Sequence, residues 1–185
     1  MDPIAIIDRF YPPDSIARKI LLVHGRQVAD KALAVAQGLP ELNPDLAFIE
    51  AAALLHDIGM IRTRVPELDC RGKAPYIQHG IIGREMLESV GMVKHALVCE
   101  RHVGVGITVE DIREQRLPLP ERDMRPVTLE EQIICYADKF FSKKPGGDMA
   151  PEKNIEKISK KLLRRGNGHY KRFADWVARF DKITG

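Results

Sequence analysis

The sequence has few cysteines, few aromatic residues and no long uninterrupted apolar run. Its three cysteines, Cys70, Cys99 and Cys135, are odd in number and lack the paired spacing of a thiolate metal site. We therefore expect reduced thiols in a reducing compartment. The most apolar segment is interrupted by Glu50 and His56, so no stretch approaches the roughly 20 apolar residues that a membrane-spanning helix needs.

The amino-terminal segment also lacks a basic region followed by a long apolar run, so we expect a cytoplasmic protein with no membrane partner. The formal net charge of +3 is too small to indicate a nucleic-acid-binding protein. The range 151–172 is locally basic, with eight Lys or Arg against two Glu. Because aromatic residues are not interleaved with these charges, we interpret the range as a solvated helix face.

A chain of 185 residues fits one domain, and its apolar spacing is helical almost throughout. We predict an all-α, single-domain helical bundle over 1–185, with a core at about 15–145 and closing helices in 146–185 that pack on it. Capping residues and glycines place the helices at about 15–38, 43–57, 79–91, 92–102, 110–115 and 128–141, with two more after a break at 143–147.

The stretch from Ala51 to Gly59 ends an apolar helix with His56 and Asp57. Consecutive helical residues point about 100° apart, so these two side chains cannot share a helix face, but at a helix end both can turn toward one ion. A buried carboxylate beside Leu54 and Leu55 needs a cationic partner, and a metal ion bound by further side chains is one such partner.

Further candidate ligands lie at helix ends or on apolar helix stripes. His24 lies one turn after Ile20 on the apolar stripe of the first long helix, where a lone histidine is more often a core residue than a ligand. His79 begins the third helix, and Asp138 lies on the apolar stripe of the fifth. His102 ends the fourth helix beside a glycine, and we select it over His95, which we expect to be exposed.

Four histidines and two carboxylates exceed what one ion with open positions takes, and they suit Fe, Mn, Co, Ni or Zn. We therefore predict two divalent ions, with iron as the first choice. If Asp57 lies between the ions, one ion is held by His24, His56 and Asp138 and the other by His79 and His102.

The ordered ligands, with His56-Asp57-Ile58-Gly59 and Ala137-Asp138-Lys139, resemble the HD superfamily of metal-dependent phosphohydrolases over about 15–145. The resemblance implies an all-α fold with a metal site between helices and hydrolysis of phosphate esters or anhydrides. His79 and His102 resemble the two-metal branch, which includes diadenosine tetraphosphate hydrolases and cyclic-dinucleotide phosphodiesterases. The adjacent histidine pair typical of the latter is missing here, so a small nucleotide is the expected substrate.

The predicted chemistry is attack on phosphorus by a water or hydroxide between ions about 3.5–4 Å apart. Asp57 is the catalytic carboxylate, and Lys139, beside Asp138, is the candidate that neutralises developing charge. The predicted phosphate-binding cations are Arg62, Arg64, Lys73, Arg84 and Arg101.

Three alternatives stay open on the same ligands. One is a di-iron oxygenase on the HD scaffold, and the second is a nucleotide-binding sensor without turnover. The third is a structural cluster without metal, which would leave four inward histidines needing partners. The oligomeric state, the bond cleaved and the metal identity are not set by the sequence.

Overall fold

The structure, a computed structural model, describes residues 2–181, so the ends of the predicted domain range 1–185 lie outside the described residues. This part of the chain is mostly helical, as the sequence predicts. Its nine α-helices are α1 (Pro3–Asp8), α2 (Ile16–Gln37), α3 (Leu46–Leu55), α4 (His79–Glu88), α5 (Val93–Arg101), α6 (Val109–Glu114), α7 (Leu129–Asp138), α8 (Ile155–Leu163) and α9 (Asn167–Phe180).

The predicted helix starts at Ser15 and Thr128 are confirmed by side-chain caps, whereas the second helix begins after Asp45 rather than after the predicted cap Asn43. The side chains of Ser15, Asp45 and Thr128 each accept a hydrogen bond from a backbone N–H in the first turn of α2, α3 and α7.

Several helix ends differ from the prediction: α3 ends at Leu55 rather than at 57, and α4 ends at Glu88 rather than at 91. Helix α7 ends at Asp138, three residues earlier than predicted, and α1, which Asp2 caps, has no counterpart in the sequence prediction.

The segment after α3 is more ordered than the irregular loop expected from its sequence. A 3-10 helix, Ile58–Arg62, is followed by a small antiparallel hairpin of β1 (Arg64–Val65) and β2 (Cys70–Arg71). Gly59 is required by close approach, because a Cβ there would overlap the carbonyl oxygen of His79 at the start of α4. The 3-10 helix that follows α3 is therefore packed directly against the backbone of α4.

Two hydrophobic clusters meet along α2. One contains Leu21 with residues of α1, α4 and α5, and the other contains Val28 with residues of α3, α7, α8 and α9. His24 lies between Leu21 and Val28 on the same helix. The metal-ligand candidates are therefore held at the junction of two packed clusters, where side-chain positions are well determined. No helix of the described residues is long and apolar enough to cross a bilayer.

The connection between α5 and α7 is fastened by a buried carboxylate. Glu100, 3% exposed, accepts hydrogen bonds from Arg84 Nη1 at 2.6 Å and from Arg122 Nε at 2.8 Å. Within this connection, α6 begins with a capping box between Thr108 and Asp111, close to the predicted short helix. Because Arg122 of the connection and Arg84 of α4 both pair with this buried glutamate of α5, the connection is held against the two helices.

We expect the three cysteines to be unreactive in the folded protein. All three are fully buried, and burial raises the pKa of Cys135 to about 12 and that of Cys70 to about 11. Thiolate is the reactive form, so N-ethylmaleimide at neutral pH should label no thiol of the native protein. Mass spectrometry after unfolding in urea should find three labels, and rapid labelling of a native thiol would contradict the burial described.

Candidate metal centre

Four imidazole rings converge on Asp57, which follows α3. His24 Nε2 and His56 Nε2 lie 3.2 Å and 2.9 Å from Asp57 Oδ2. His79 Nε2 and His102 Nε2 lie 3.2 Å and 3.4 Å from Asp57 Oδ1. Each oxygen of this carboxylate therefore faces two histidines.

Asp138, the last residue of α7, completes one side of the arrangement. Its Oδ1 lies 3.0 Å from His24 Nε2 and 3.6 Å from His56 Nε2. The result is two clusters that share Asp57, and in each the ligand atoms lie within 4.8 Å of one another. The first cluster is His24, His56, Asp57 and Asp138, and the second is Asp57, His79 and His102.

The structure thus brings together the six residues named from the sequence, in the predicted division. They come from five places in the bundle: the middle of α2, the two residues that follow α3, the first residue of α4, and the ends of α5 and α7. Their function as metal ligands stays a prediction. His95, the histidine not selected, lies apart from both clusters with its ring centroid 4.8 Å from that of Phe48, and it is half-buried rather than exposed.

Backbone carbonyls orient three of the imidazoles. The Nδ1 atoms of His56, His79 and His102 lie 2.6 Å, 2.6 Å and 2.7 Å from carbonyl oxygens three residues earlier in the chain. A carbonyl oxygen only accepts, so Nδ1 carries a proton in each ring, and in the neutral form of the ring Nε2 has the lone pair free for a ligand. This is the usual arrangement around metal-binding histidines.

The assignment leaves acceptor atoms facing one another. His79 Nε2 and His102 Nε2 are 3.1 Å apart, and both face Asp57 Oδ1. Two lone pairs and a carboxylate oxygen at these distances repel unless a cation lies among them. Nitrogen ligands about 2.0–2.1 Å from one ion are separated by roughly 2.9–3.4 Å at right or tetrahedral angles, which the observed spacing fits.

Unpartnered buried atoms lead to the same conclusion. Asp57 Oδ2 contacts the ammonium group of Lys143, but among the described residues His56 Nε2 and Asp57 Oδ1 are buried without a hydrogen-bond partner. Both residues are 0% exposed. Buried polar atoms in folded proteins are nearly always satisfied, so the residues present fit a pair of divalent ions.

The two carboxylates are held in their charged form. Burial acts to raise the pKa of Asp57, but Lys143 and His56 outweigh it and hold the pKa well below its ordinary value. For Asp138, burial is likewise outweighed by Lys139 and His24, which hold its pKa well below the ordinary range. Both side chains can therefore ligate a cation at neutral pH.

The histidines differ in protonation between the clusters. Burial lowers the pKa of His79 to about 3 and also lowers the pKa of His102, so both rings are neutral near pH 7. Burial acts in the same direction on His56, but Asp57 and Asp138 reverse it and raise the pKa of His56 to about 9. A metal ion in the first cluster therefore displaces a proton from His56.

Lys143 is the residue that the sequence analysis missed. It lies in the segment interpreted only as a chain break, yet its ammonium group contacts Asp57 Oδ2 and its side chain is 13% exposed. A turn at Pro145–Gly147 folds this segment back onto α2, where Lys19 donates a hydrogen bond to the carbonyl oxygen of Gly146. The only sequence signal for Lys143 is its position five residues after Asp138.

Lys139, the candidate that neutralises developing charge, contacts Asp138. Its Nζ is 2.7 Å from Asp138 Oδ2 and 3.5 Å from the carbonyl oxygen of His102. With Lys143, it places two ammonium groups beside the two clusters. The participation of Lys139 in catalysis stays a prediction.

A cavity of about 1140 Å³ opens over this centre. His79, His102 and Asp138 lie on its wall with Lys139 and Lys143. Its other lining side chains are mostly apolar or basic, with Ser142, Asn154 and Glu156 among them. The apolar ones include Val65, Leu68, Tyr76, Ile77 and Phe141, and the basic ones are Lys153, Lys157, Lys160, Lys161, Arg164 and Arg165.

The five cations predicted to bind phosphate do not line this cavity. Arg84 pairs with Glu88 and Glu100, and Arg101 pairs with Glu131. Arg62 and Lys73 line a second, more open cavity of about 610 Å³, and Arg64 is exposed in β1. Their binding of substrate stays a prediction. The cations that line the cavity over the centre include those of α8, from the basic range interpreted as a solvated face.

Comparisons with known proteins agree with this geometry. The sequence profile of the HD domain matches residues 21–142. An uncharacterized protein of Methanocaldococcus jannaschii is 42% identical over 98 residues, which are 52% of this chain and 50% of that protein. No solved structure matches.

Two tRNA (cytidine(56)-2'-O)-methyltransferases are also similar. Those of Thermoplasma volcanium and Picrophilus torridus are 33% and 35% identical over 127 residues, which are 68% of this chain and 33% of each enzyme. The chain therefore spans between a third and a half of the length of these curated relatives.

Proposed function

The chain belongs to the HD domain family, and on this basis we propose that it is a metal-dependent phosphohydrolase. Its reaction is cleavage of a phosphoester or phosphoanhydride in a small nucleotide-like substrate. The observation that carries the proposal is the pair of His/Asp clusters sharing one buried carboxylate, Asp57, on the wall of a cavity rich in lysine and arginine.

We assign one ion to His24, His56 and Asp138, the other to His79 and His102, and both to Asp57. When bound, such ions lower the pKa of water and withdraw charge from a phosphoryl group. The carbonyl oxygens that fix three Nδ1 protons hold the rings so that Nε2 faces the centre.

The lysines provide positive charge close to the reacting group. Lys143 holds Asp57 in its carboxylate form, and Lys139 does the same for Asp138. Both line the cavity, so their ammonium groups can also donate to phosphoryl oxygens as negative charge develops. The ring of Tyr76 stacks on that of His79, with centroids 4.5 Å apart, and both side chains line the cavity.

The charge of the cavity supports a phosphorylated substrate over an uncharged one. A di-iron oxygenase could use the same ligands, but nothing in its chemistry requires eight lysine and arginine side chains around the cavity. The names of two relatives refer to tRNA, so RNA is the natural competitor to a nucleotide as the source of the phosphate.

The test is metal content of anaerobically purified protein, measured by mass spectrometry, with phosphate release measured on the same sample. The substrate panel contains nucleotides, dinucleoside polyphosphates and short RNA. We expect close to two ions per chain, phosphate release from a nucleotide, and loss of that release after chelation. His95→Ala is the matched control, because His95 lies outside both clusters, and it should retain metal and activity.

Two results would contradict the proposal. Two iron ions without release of phosphate from any substrate would favour the oxygenase or the sensor. Protein that takes up no divalent ion would exclude a metal-dependent hydrolase, provided that circular dichroism shows the helical fold.

A further inference from the structure

Helix α8 and the residue that follows it, Arg164, present a row of cations to the cavity over the metal centre. Lys157, Lys161 and Arg164 are spaced i, i+4 and i+7, so they lie on one side of the helix. At 1.5 Å per residue, the row is about 10 Å long. Lys157, Lys161 and Arg164 are exposed, so their charged groups can reach a bound molecule.

These cations lack acidic partners among the described residues, whereas eight of the sixteen arginines pair with a carboxylate. Within residues 2–181, no carboxylate forms an ion pair with Lys157, Lys161 or Arg164, whereas Lys160 pairs with Glu156. Elsewhere, for example, Arg26 pairs with Glu50. Uncompensated like charges on one helix face are unfavourable, and a bound anion would relieve their repulsion.

Lys153, just before α8, shows the same crowding of positive charge. Burial lowers its pKa to about 8, against the opposing effect of Asp138, and Lys161, Lys139 and Lys143 lower it further. The cations of α8 and those beside the two clusters therefore belong to one electrostatic environment. A ligand that extends from the clusters toward α8 would remain in a positive potential over its whole length.

The row lies outside the part of the chain that the HD profile matches, which ends at residue 142. The range 153–165 contains no aromatic residue, whereas surfaces for single-stranded nucleic acid combine basic grooves with aromatic side chains on which bases stack. A compact anion with several charges suits the row better than an extended strand.

We propose that the α8 row, formed by Lys157, Lys161 and Arg164, is a second phosphate-binding site that selects small substrates carrying at least one phosphate beyond the one cleaved. The inference rests on the proposed function, because the cleaved phosphate is assigned to the two clusters. The row then sets specificity for the number of phosphates, and the clusters perform the reaction.

The test is isothermal titration calorimetry of the metal-loaded protein with AMP and with the methylene-bridged analogues of ADP and ATP. In the unsubstituted protein, affinity should increase with each added phosphate. In Lys157→Glu/Lys161→Glu, the ATP analogue should bind about tenfold more weakly or worse, while AMP should stay within about twofold. Lys157→Ala/Lys161→Ala should show a smaller loss of the same pattern.

Lys94→Glu/Lys171→Glu is the control, because it makes the same charge change at exposed positions outside the cavity, and it should preserve the affinity series. Equal loss of AMP and ATP-analogue binding, or no loss, would overturn the inference. Tighter binding of short RNA than of the ATP analogue, increasing with strand length, would also overturn it. If affinity increases with each added phosphate but no substrate releases phosphate, only the proposed function is refuted. If phosphate is released but affinity does not increase with the number of phosphates, only the α8 site is refuted.

Discussion

Protein with Asp57→Asn should retain neither metal ion and should release phosphate more slowly by a factor on the order of 10⁴. The two oxygens of Asp57 face two different pairs of histidines, so one substitution removes a ligand from both clusters. The asparagine amide also places an N–H donor where one carboxylate oxygen was, so that it points at the Nε2 atoms of one pair of histidines. Inductively coupled plasma mass spectrometry and the phosphate assay measure the two effects.

The same substitution separates loss of metal from loss of fold. Asparagine is nearly isosteric with aspartate and lies among the same neighbours, so helical content should be unchanged by circular dichroism. Added metal should raise the melting temperature of the unsubstituted protein, because an ion that binds the folded state stabilises it. It should not raise the melting temperature of the variant, which is expected to bind no ion. Retention of one tightly bound ion by Asp57→Asn would show that the clusters do not share this carboxylate.

Much of the centre was predictable because its ligands occupy positions that the sequence marks. His24 follows Ile20 by one turn on an apolar stripe, and His56 and Asp57 follow an apolar helix directly. In the structure both signals correspond to inward side chains, His24 at 2% and His56 at 0% exposed. Helix ends and buried stripes are local properties, so a sequence pattern can indicate them without knowledge of the fold.

The surrounding cations were not predictable in the same way, because their partners are distant in sequence. Arg101 directly precedes His102 and Arg84 lies in the helix that begins with His79, yet they pair with Glu131 and Glu100, 30 and 16 residues away. Lys143 reaches Asp57 only because the turn at Pro145–Gly147 packs on α2. A charge pattern identifies a helix face, but only the packed structure shows which cavity that face lines.

The two clusters differ in how many protein ligands they offer, and this difference predicts an asymmetric response to mutation. The first has four candidate ligands and the second has three, one of which is shared. An ion in the second cluster therefore has more positions free for water or substrate, and losing one protein ligand leaves only two. The first cluster keeps its full set when a residue of the second is replaced.

His102→Gln should therefore leave close to one ion per chain and reduce phosphate release by a factor on the order of 10³. Glutamine fills much of the volume of the imidazole, so the packing of α5 against α7 should persist, while the Nε2 ligand is lost. His24→Gln provides the opposite comparison, because it removes a ligand from the first cluster and leaves the second complete. The two variants can be distinguished by loading two different metals one after the other. Metal analysis should then find one metal retained by His102→Gln and the other retained by His24→Gln.

Loss of all metal from His102→Gln alone would mean that the ions bind cooperatively and that the division between clusters is wrong. Two ions with full activity would mean that His102 is not a ligand, although its Nε2 lies 3.1 Å from that of His79. One retained ion with little activity would instead assign the attacked phosphate to the second cluster. That is the side where Tyr76 stacks on His79 and where the cavity wall includes both His79 and His102.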